Sequence, residues 1–170
     1  MSRLQSGSLH LNLEWFDVED LIGETVKQSQ SLLRDRQVNV SAGQQPILLR
    51  GDYGLLLHAL SNLIRNAAIY SPAGTGIDIL VAATSDQLSI TIADRGPGIP
   101  ATELENIFEK FRRLPQSPAG GIGLGLSLSK NIVELHKGQI RAANRNGGGA
   151  EFTIELPITE HPTALSREVQ

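Results

Sequence analysis

The chain has 170 residues, of which 40% are apolar and 19% charged, so it can form one compact globular domain. Its net charge of −3 offers no basic surface for nucleic acid or anionic lipid, and the absence of cysteine excludes disulfide bonds and thiolate metal sites. No apolar stretch reaches the ~18 residues of a membrane span and no signal-peptide pattern is present, so we expect a cytoplasmic domain without direct membrane contact.

Apolar periodicity divides the chain into elements. Residues 1–8 are expected to be the remnant of a preceding helix or linker, residues 9–157 one domain, and residues 158–170 a flexible tail. Alternating apolar residues predict strands at residues 9–15, 37–40, 46–50, 77–81, 88–92, 139–143 and 151–156. Apolar residues at helical spacing predict helices at residues 17–33, 52–70, 102–111 and 124–136.

The order of these elements indicates the fold class. The predicted strands occur in adjacent pairs, and helices separate the pairs. This order favours an α+β fold, a two-layer α/β sandwich in which a mixed, mostly antiparallel sheet is covered by helices on one face. A doubly wound parallel sheet is less favoured, because strands and helices do not alternate strictly.

Two asparagines interrupt the apolar pattern of the second predicted helix. Asn62 and Asn66 are four residues apart, so both amides lie on one face of that helix. Asparagine is a poor helix former, and its amide oxygen is a suitable ligand for a hard cation such as Mg²⁺. Taken alone, amides that face solvent or bind the backbone explain the pair more simply.

Two glycine-containing segments are candidates for ligand binding. Asp94 follows a predicted strand and precedes Gly96 and Gly98, so its carboxylate can accept a hydrogen bond where the backbone comes close to a ligand. An ordinary turn is the alternative. Residues 120–126 lead from a loop into a helix, where backbone N–H groups and the helix N-terminus favour an anion. No strand precedes this segment and no Lys-Ser/Thr pair follows it, which excludes the dinucleotide fingerprint and the Walker loop.

A third segment combines aromatic and basic residues. Phe108 and Phe111 are three residues apart and are expected to fill the core. Lys110, Arg112 and Arg113 stand before the glycine-rich segment, where a guanidinium or ammonium group can reach a terminal phosphate. A solvated basic cluster is the alternative interpretation.

Together and in this order, the four elements resemble the catalytic ATP-binding domain of sensor histidine kinases, which belongs with the gyrase, chaperone and mismatch-repair ATPases of Bergerat-type fold. The N box of that family is similar to residues 62–72, the G1 box to residues 94–98, the F box to residues 108–111 and the G2 box to residues 121–126. The segment at residues 11–15 and the Phe-Glu-Lys-Phe form of the F box are most similar to the potassium-responsive KdpD kinases.

The resemblance implies a role for each box. Asn66 would ligate a Mg²⁺ ion bridging the phosphates, Asp94 would accept the adenine amino group, and residues 112–120 would be an ATP lid that is mobile without ligand. The implied catalytic residues are Asn62, Lys110 and Arg113. The implied ATP-binding residues are Asn66, Tyr70, Asp94, Gly96, Gly98, Ile99, Gly121, Ile122, Gly123, Leu124, Gly125 and Leu126.

The departures from the family pattern are equally informative. None of the four histidines is followed by an acidic residue, and no dimerisation helices are present. We therefore expect transfer of the γ-phosphate to a histidine of a separate dimerisation domain, with a response regulator downstream and a parent kinase that can be membrane-anchored. Gyrase-type relatives have a glutamate base where this chain has Asn62, which cannot act as a base.

One further position differs from the family pattern, and it leads to alternative hypotheses about the function. The family has Lys or Arg just before the N-box tyrosine, where this chain has Ile69. A nucleotide-binding regulatory module without transferase activity is therefore a second hypothesis. A serine kinase of the anti-sigma-factor type is a third, although such kinases usually lack the segment seen here at residues 11–15. An α/β domain with accidental glycines is the remaining alternative.

Overall fold

The computed structural model describes residues 10–115, 117 and 122–160. The remnant expected at residues 1–8 lies outside the described part, as does the tail expected at residues 158–170 from residue 161 onward. Residues 116 and 118–120 of the expected lid and Gly121 also lie outside it. The elements in chain order are β1 (Glu14–Asp17), α1 (Val18–Gln28), β2 (Val38–Ser41), β3 (Leu48–Gly51), α2 (Tyr53–Tyr70), β4 (Ile77–Ala83), β5 (Gln87–Ala93), a 3-10 turn (Asn106–Phe108), α3 (Gly125–Leu135), β6 (Gln139–Asn144) and β7 (Ala150–Pro157).

The main sheet has five strands in the order β2-β4-β5-β7-β6. Only β2 and β4 are parallel, and the other neighbours are antiparallel. The predicted mixed, mostly antiparallel sheet is therefore confirmed. One detail differs from the expected single sheet, because β1 and β3 pair antiparallel with each other in a separate two-stranded ribbon.

Alternation along the strands explains why the helices cover one face. Ile90 of β5 lies opposite Ile154 of β7, and Ile92 lies opposite Phe152, with all four side chains buried. The intervening residues face the other side, where the hydroxyl oxygens of Thr91 and Thr153 are 2.9 Å apart. Helices α2 and α3 pack against each other and against the apolar face, and α1 packs on α2. The domain is therefore a two-layer sandwich with one polar open face.

Helix α2 begins and ends where the sequence indicates. The side chain of Asp52 accepts a hydrogen bond from the backbone N–H of Leu55 over 3.1 Å, which caps the N-terminus. His136, at the end of α3, reinforces this turn, because its Nε2 accepts a hydrogen bond from the backbone N–H of Asp52 over 2.9 Å. At the other end, Arg36 donates to the carbonyl oxygens of Ala68 and Ser71 over 2.6 and 3.0 Å. Both termini of the helix thus depend on residues distant in sequence.

Three predicted elements are shorter than expected. Among the described residues, the strand expected at residues 9–15 lies at Glu14–Asp17, and the helix expected at residues 17–33 ends at Gln28. The helix expected at residues 102–111 is reduced to turns and one 3-10 turn. Leu33 and Leu104 still pack on the core from irregular backbone, whereas Leu13 and Leu32 are 44% and 46% exposed.

The expectation that both F-box phenylalanines fill the core is wrong for one of them. Phe108 is buried and packs edge-on against Phe152, with ring centroids 6.2 Å apart. Phe111 is 67% exposed. The reason is that the chain turns extended at Glu109 and Phe111 adopts a positive φ of 62°, so the helical spacing of three is not kept.

Candidate functional site

A cavity of about 550 Å³ lies between α2, the loop after β5 and the start of α3. This volume is within the range of small-molecule sites in proteins. The predicted site residues that line it are Asn62, Asn66, Tyr70, Asp94, Gly98, Ile99, Arg113, Ile122, Gly123, Leu124, Gly125 and Leu126. Arg112, a candidate phosphate contact, and Ile69, the position that departs from the family pattern, also line it. The lining residues to which the sequence assigned no role are Arg65, Pro97, Ile107, Leu114, Ala150 and Phe152.

Asp94 is the buried acceptor of this cavity. Its side chain is 3% exposed, and its Oδ1 accepts hydrogen bonds from the backbone N–H groups of Gly96 over 2.7 Å and Ala150 over 3.1 Å. Its Oδ2 accepts no hydrogen bond from the described residues. Because Asp94 lines the cavity, that oxygen is available to an N–H group of a ligand.

The glycines after Asp94 have steric reasons to be glycines. A Cβ on Gly96 would lie 2.5 Å from the carbonyl oxygen of Tyr70, and Gly98 has a φ of +80° with Asn144 close by. Gly96 does not itself line the cavity, so its contribution is to let the backbone fold back onto Asp94. The permissive backbone expected at this segment is therefore present.

Ile99 is held in place by a residue that sequence reasoning missed. The Asn144 side chain accepts from the N–H of Ile99 and donates to its carbonyl oxygen, both over 2.7 Å. Asn144 ends β6, so it is 45 residues away in sequence and belongs to no local motif. It fixes one apolar wall of the cavity, which the side chains of Ile107, Leu126 and Phe152 continue. A buried acceptor beside apolar walls suits a flat heteroaromatic ring with an exocyclic amino group.

On α2, the two asparagines do different things. The Asn62 amide nitrogen donates to the carbonyl oxygen of Gly125 over 3.2 Å, which ties α2 to the first turn of α3. The Asn66 amide makes no hydrogen bond to the described residues, although it lines the cavity. Asn66 is therefore the amide of the pair that remains available to a ligand.

The N-terminus of α3 forms the opposite end of the cavity. Leu124 and Gly125 line it, and the helix has no side-chain cap. The first backbone N–H groups of a helix have no partner within it, so this end favours an anion. Gly123 has a φ of +77°, and its carbonyl oxygen accepts from the N–H of Phe111 over 2.9 Å. Gly121, a predicted phosphate-binding residue, lies outside the described residues.

The predicted basic residues are divided by the structure. Arg113 lines the cavity, whereas Lys110 is exposed and does not. Arg112 also lines it, but its guanidinium holds the Glu103 carboxylate through bonds of 2.7 and 2.6 Å, and this pairing raises the pKa of Arg112. The Tyr70 hydroxyl lies 2.9 Å from the Ser117 hydroxyl and so joins α2 to the segment after Arg113.

A second group of charges supports the site from the open face of the sheet. Asp78 accepts hydrogen bonds from Asn39 over 2.9 Å, Arg145 over 2.6 Å and Arg95 over 3.1 Å. The Asn39 hydrogen bond, followed by the two arginines, lowers the pKa of Asp78. Arg145 also contacts the carbonyl oxygen of Asp94 over 3.4 Å, so this network braces the loop behind the buried acceptor.

Among residues 10–115, 117 and 122–160, no three His, Cys, Asp or Glu side chains come together as a metal site. Mg²⁺ is compatible with this arrangement, because it typically retains water molecules and takes ligands from one or two protein oxygens and from substrate phosphates. The amide of Asn66, which has no hydrogen bond to the described residues, has an oxygen that would suit such a role. In the same part of the chain, no helix is both long and apolar enough to span a bilayer.

Residues 51–160 match the model of the histidine kinase-, DNA gyrase B-, and HSP90-like ATPases, so the chain belongs to this family of ATP-binding domains. It is 34% identical to the sensor-like histidine kinase SenX3 of Mycolicibacterium smegmatis over 99% of this chain and 45% of SenX3. It is 35% identical to the sensor protein KdpD of Escherichia coli over 95% of this chain and 18% of KdpD. The chain thus spans less than half the length of either relative.

Solved structures agree with this assignment. The catalytic domain of the histidine kinase ThkA superposes with a TM-score of 0.80 at 26% identity, covering 87% of this chain and 97% of that domain. ThkA in complex with the response regulator TrrA superposes with a TM-score of 0.77 at 25% identity, covering 88% of this chain and 42% of ThkA. The fold is therefore that of a histidine kinase catalytic domain.

Proposed function

We propose that this domain binds Mg-ATP and transfers the γ-phosphate to a histidine on a separate dimerisation domain. The observation that carries the proposal is the combination, in one cavity, of the free Oδ2 of buried Asp94 with the uncapped N-terminus of α3. The first suits the adenine amino group and the second suits the phosphates. Membership of an ATPase family and the likeness to named histidine kinases support the same conclusion.

Several of the predicted residues have distinct roles in this proposal. Asp94 accepts from the base, Ile99 and Leu126 flank it, and the backbone of residues 122–126 binds phosphate oxygens. The oxygen of Asn66 would hold Mg²⁺, which neutralises phosphate charge when bound. Arg113 or Lys110 would contact the γ-phosphate; of these, Arg113 lines the cavity.

Asn62 has a positioning role in the proposal. Its amide bonds the first turn of α3, and an amide cannot abstract a proton from water. Rapid ATP hydrolysis is therefore not expected. Phosphoryl transfer depends mainly on positioning and charge neutralisation, and the cavity has the residues for both.

The partners follow from the same proposal. Among the described residues, His10, His58 and His136 are not followed by an acidic residue, and His136 is engaged in hydrogen bonds at both ring nitrogens. The acceptor histidine would belong to a dimerisation domain, and a response regulator would receive the phosphate next. ThkA, solved with its response regulator, supports this partnership. Because such partners and ATP occur in the cytoplasm, we propose a cytoplasmic location.

A more specific proposal is that this domain belongs to a potassium-responsive sensor kinase of the KdpD type. It is supported by residues 11–15, by the F-box form and by 35% identity to KdpD. The 34% identity to SenX3 supports a parent kinase of the SenX3 type equally well. Growth of a chimaeric KdpD carrying this domain at limiting potassium tests whether the domain can serve such a kinase.

A regulatory module that binds nucleotide without transferring phosphate is the second candidate. Ile69 favours it, because an apolar side chain stands on the cavity wall next to Asn66, where a charge would assist phosphate binding. Both candidate functions predict that the domain binds nucleotide, but only the kinase function predicts transfer of the γ-phosphate.

One experiment separates these candidates. We would titrate the domain with Mg²⁺ and ATP by calorimetry, and then supply radiolabelled ATP together with a dimerisation domain from a related kinase. The kinase proposal expects binding, slow acid-labile labelling of the added domain and none of this chain. Binding without transfer would support the regulatory module. Asp94→Asn should lose binding while the exposed control Asp20→Asn should not; equal affinities in both variants would contradict the site.

A further inference from the structure

Arg65 lies beside Asn66 on α2 and lines the cavity, although the N-box resemblance assigned it no role. Its side chain is exposed, and within the described part of the chain it forms no hydrogen bond or ion pair. Ile69 lies one helical turn further on and is also part of the cavity wall, with 38% of its surface exposed. Residues four apart on a helix share a face, so Arg65 and Ile69 border the same space.

The charge balance of the cavity makes this arginine significant. Arg112 also lines the cavity, but its guanidinium is held by two oxygens of Glu103, which neutralise it. Arg65 is therefore the cation on the α2 side of the cavity, beside the available amide of Asn66, whose charge is not neutralised by a carboxylate of the described residues. A guanidinium is planar and always protonated, and it binds phosphate oxygens in pairs.

We propose that Arg65 is the phosphate-binding cation of α2 and provides the charge that Ile69 lacks. The ligand class is a nucleoside di- or triphosphate whose phosphates run from Asn66 toward the start of α3. This inference rests on the proposed function, but it concerns the phosphates and not the base. The long side chain of Arg65 lets its charge reach the space beside Ile69 from one turn away.

The test compares Arg65→Gln with the exposed, cavity-remote control Arg34→Gln. Binding of ATP, ADP and adenosine is measured by competition with a fluorescent nucleotide, and the melting temperature of each variant is recorded. Arg65→Gln should weaken ATP and ADP binding by roughly tenfold, on the scale of a charge-assisted hydrogen bond, and leave adenosine binding unchanged. The loss should shrink as salt is raised. Arg65→Lys should lose less, because the charge remains.

A second variant tests the shared face directly. In Arg65→Gln combined with Ile69→Lys, the charge returns one turn along α2 and should restore much of the ATP affinity. Parent-like ATP affinity in Arg65→Gln would overturn the inference, as would equal losses for ATP and adenosine or a double variant that binds no more tightly than Arg65→Gln. If Asp94→Asn weakens adenosine binding while Arg65→Gln changes nothing, the base site stands and only the role of Arg65 fails. If Asp94→Asn changes nothing, the proposed function fails.

Discussion

The side-chain nitrogen of Asn62 donates a hydrogen bond to the backbone carbonyl oxygen of Gly125 over 3.2 Å, and it lies 3.5 Å from the hydroxyl of Ser129. The Ser129 hydroxyl in turn donates to the carbonyl oxygen of Ala59 over 3.1 Å. Through these contacts, α2 and the first turn of α3 are fastened together where both border the cavity. The amide that would support the metal and the helix end that would bind phosphate therefore form one unit.

Removal of this link should weaken nucleotide binding more than it weakens the fold. Asn62→Ala removes the hydrogen bond to the Gly125 carbonyl oxygen, which should cost about 1 kcal/mol of stability, typical of one hydrogen bond. ATP affinity should fall further because the start of α3 is no longer positioned. Chemical denaturation and calorimetry on the same variant measure the two effects, with the exposed Asn146→Ala as control. A variant with parent-like affinity and lower stability would assign Asn62 to the fold alone.

Asn144 should prove as important to binding as any residue of the motifs. Asn144→Ala removes both hydrogen bonds to the backbone of Ile99, which is only 6% exposed, so stability should fall by about 1–3 kcal/mol, as for unpaired buried polar groups. The loop that holds Asp94 and Ile99 should loosen, and adenosine and ATP should lose affinity to the same extent. Competition binding checks this. A loss confined to ATP would place Asn144 near the phosphates instead.

Ile69→Lys is expected to bind ATP more tightly than the parent. The side chain lines the cavity and is 38% exposed, so a lysine can be accommodated without burying its charge. A partly exposed contact between an ammonium group and phosphate should contribute on the order of 1–2 kcal/mol, and the gain should shrink as salt is raised. The melting temperature and the affinity are measured on the same protein. A stable variant without any gain would show that position 69 is out of reach of the phosphates.

Asp78 should make stability depend on acid pH. Its hydrogen bonds to Asn39 and the two arginines lower its pKa below the ordinary 3.8, so its contribution is complete at neutral pH. That contribution is lost as pH falls from the unfolded-state pKa through the lower folded-state pKa. Asp78→Asn should therefore be less stable by about 1 kcal/mol at neutral pH, the scale of a part-exposed charged hydrogen bond. Below about pH 4 the difference should close.

Urea denaturation of parent and Asp78→Asn over this pH range provides the measurement, with Asp20→Asn as a control for charge. A difference that stays constant with pH would mean that the variant disturbs packing and that protonation of Asp78 has little effect on stability.

The local sequence pattern was sufficient to predict much of the fold and of the candidate site. The period of two in β4, β5 and β7 and the apolar stripe of α2 were recognisable because one face of each element is buried. Asp94 was recognisable because it stands directly before two close glycines, one of which donates its backbone N–H to the Asp94 carboxylate. The periodicity indicated the fold class, and the resemblance of the four motifs to a known family indicated the majority of the residues that line the cavity.

Other features depend on partners far along the chain, and no local pattern could predict them. Asn144 meets Ile99 across 45 residues, and Arg36 meets Ala68 across 32. The pairing of β1 with β3 outside the main sheet and the outward turn of Phe111 also follow from how neighbouring segments pack.

Sequence alone therefore determined which groups are the candidates for binding a ligand: the Asp94 carboxylate, the two amides of α2 and the glycines before α3. Tertiary structure decided which of them remain available to a ligand. Asn62 is engaged by Gly125 and Arg112 by Glu103, whereas Asn66 and Arg65 have no such partner among the described residues. The physical reason is that a side chain can bind a ligand only with the donors and acceptors that its folded surroundings leave unsatisfied.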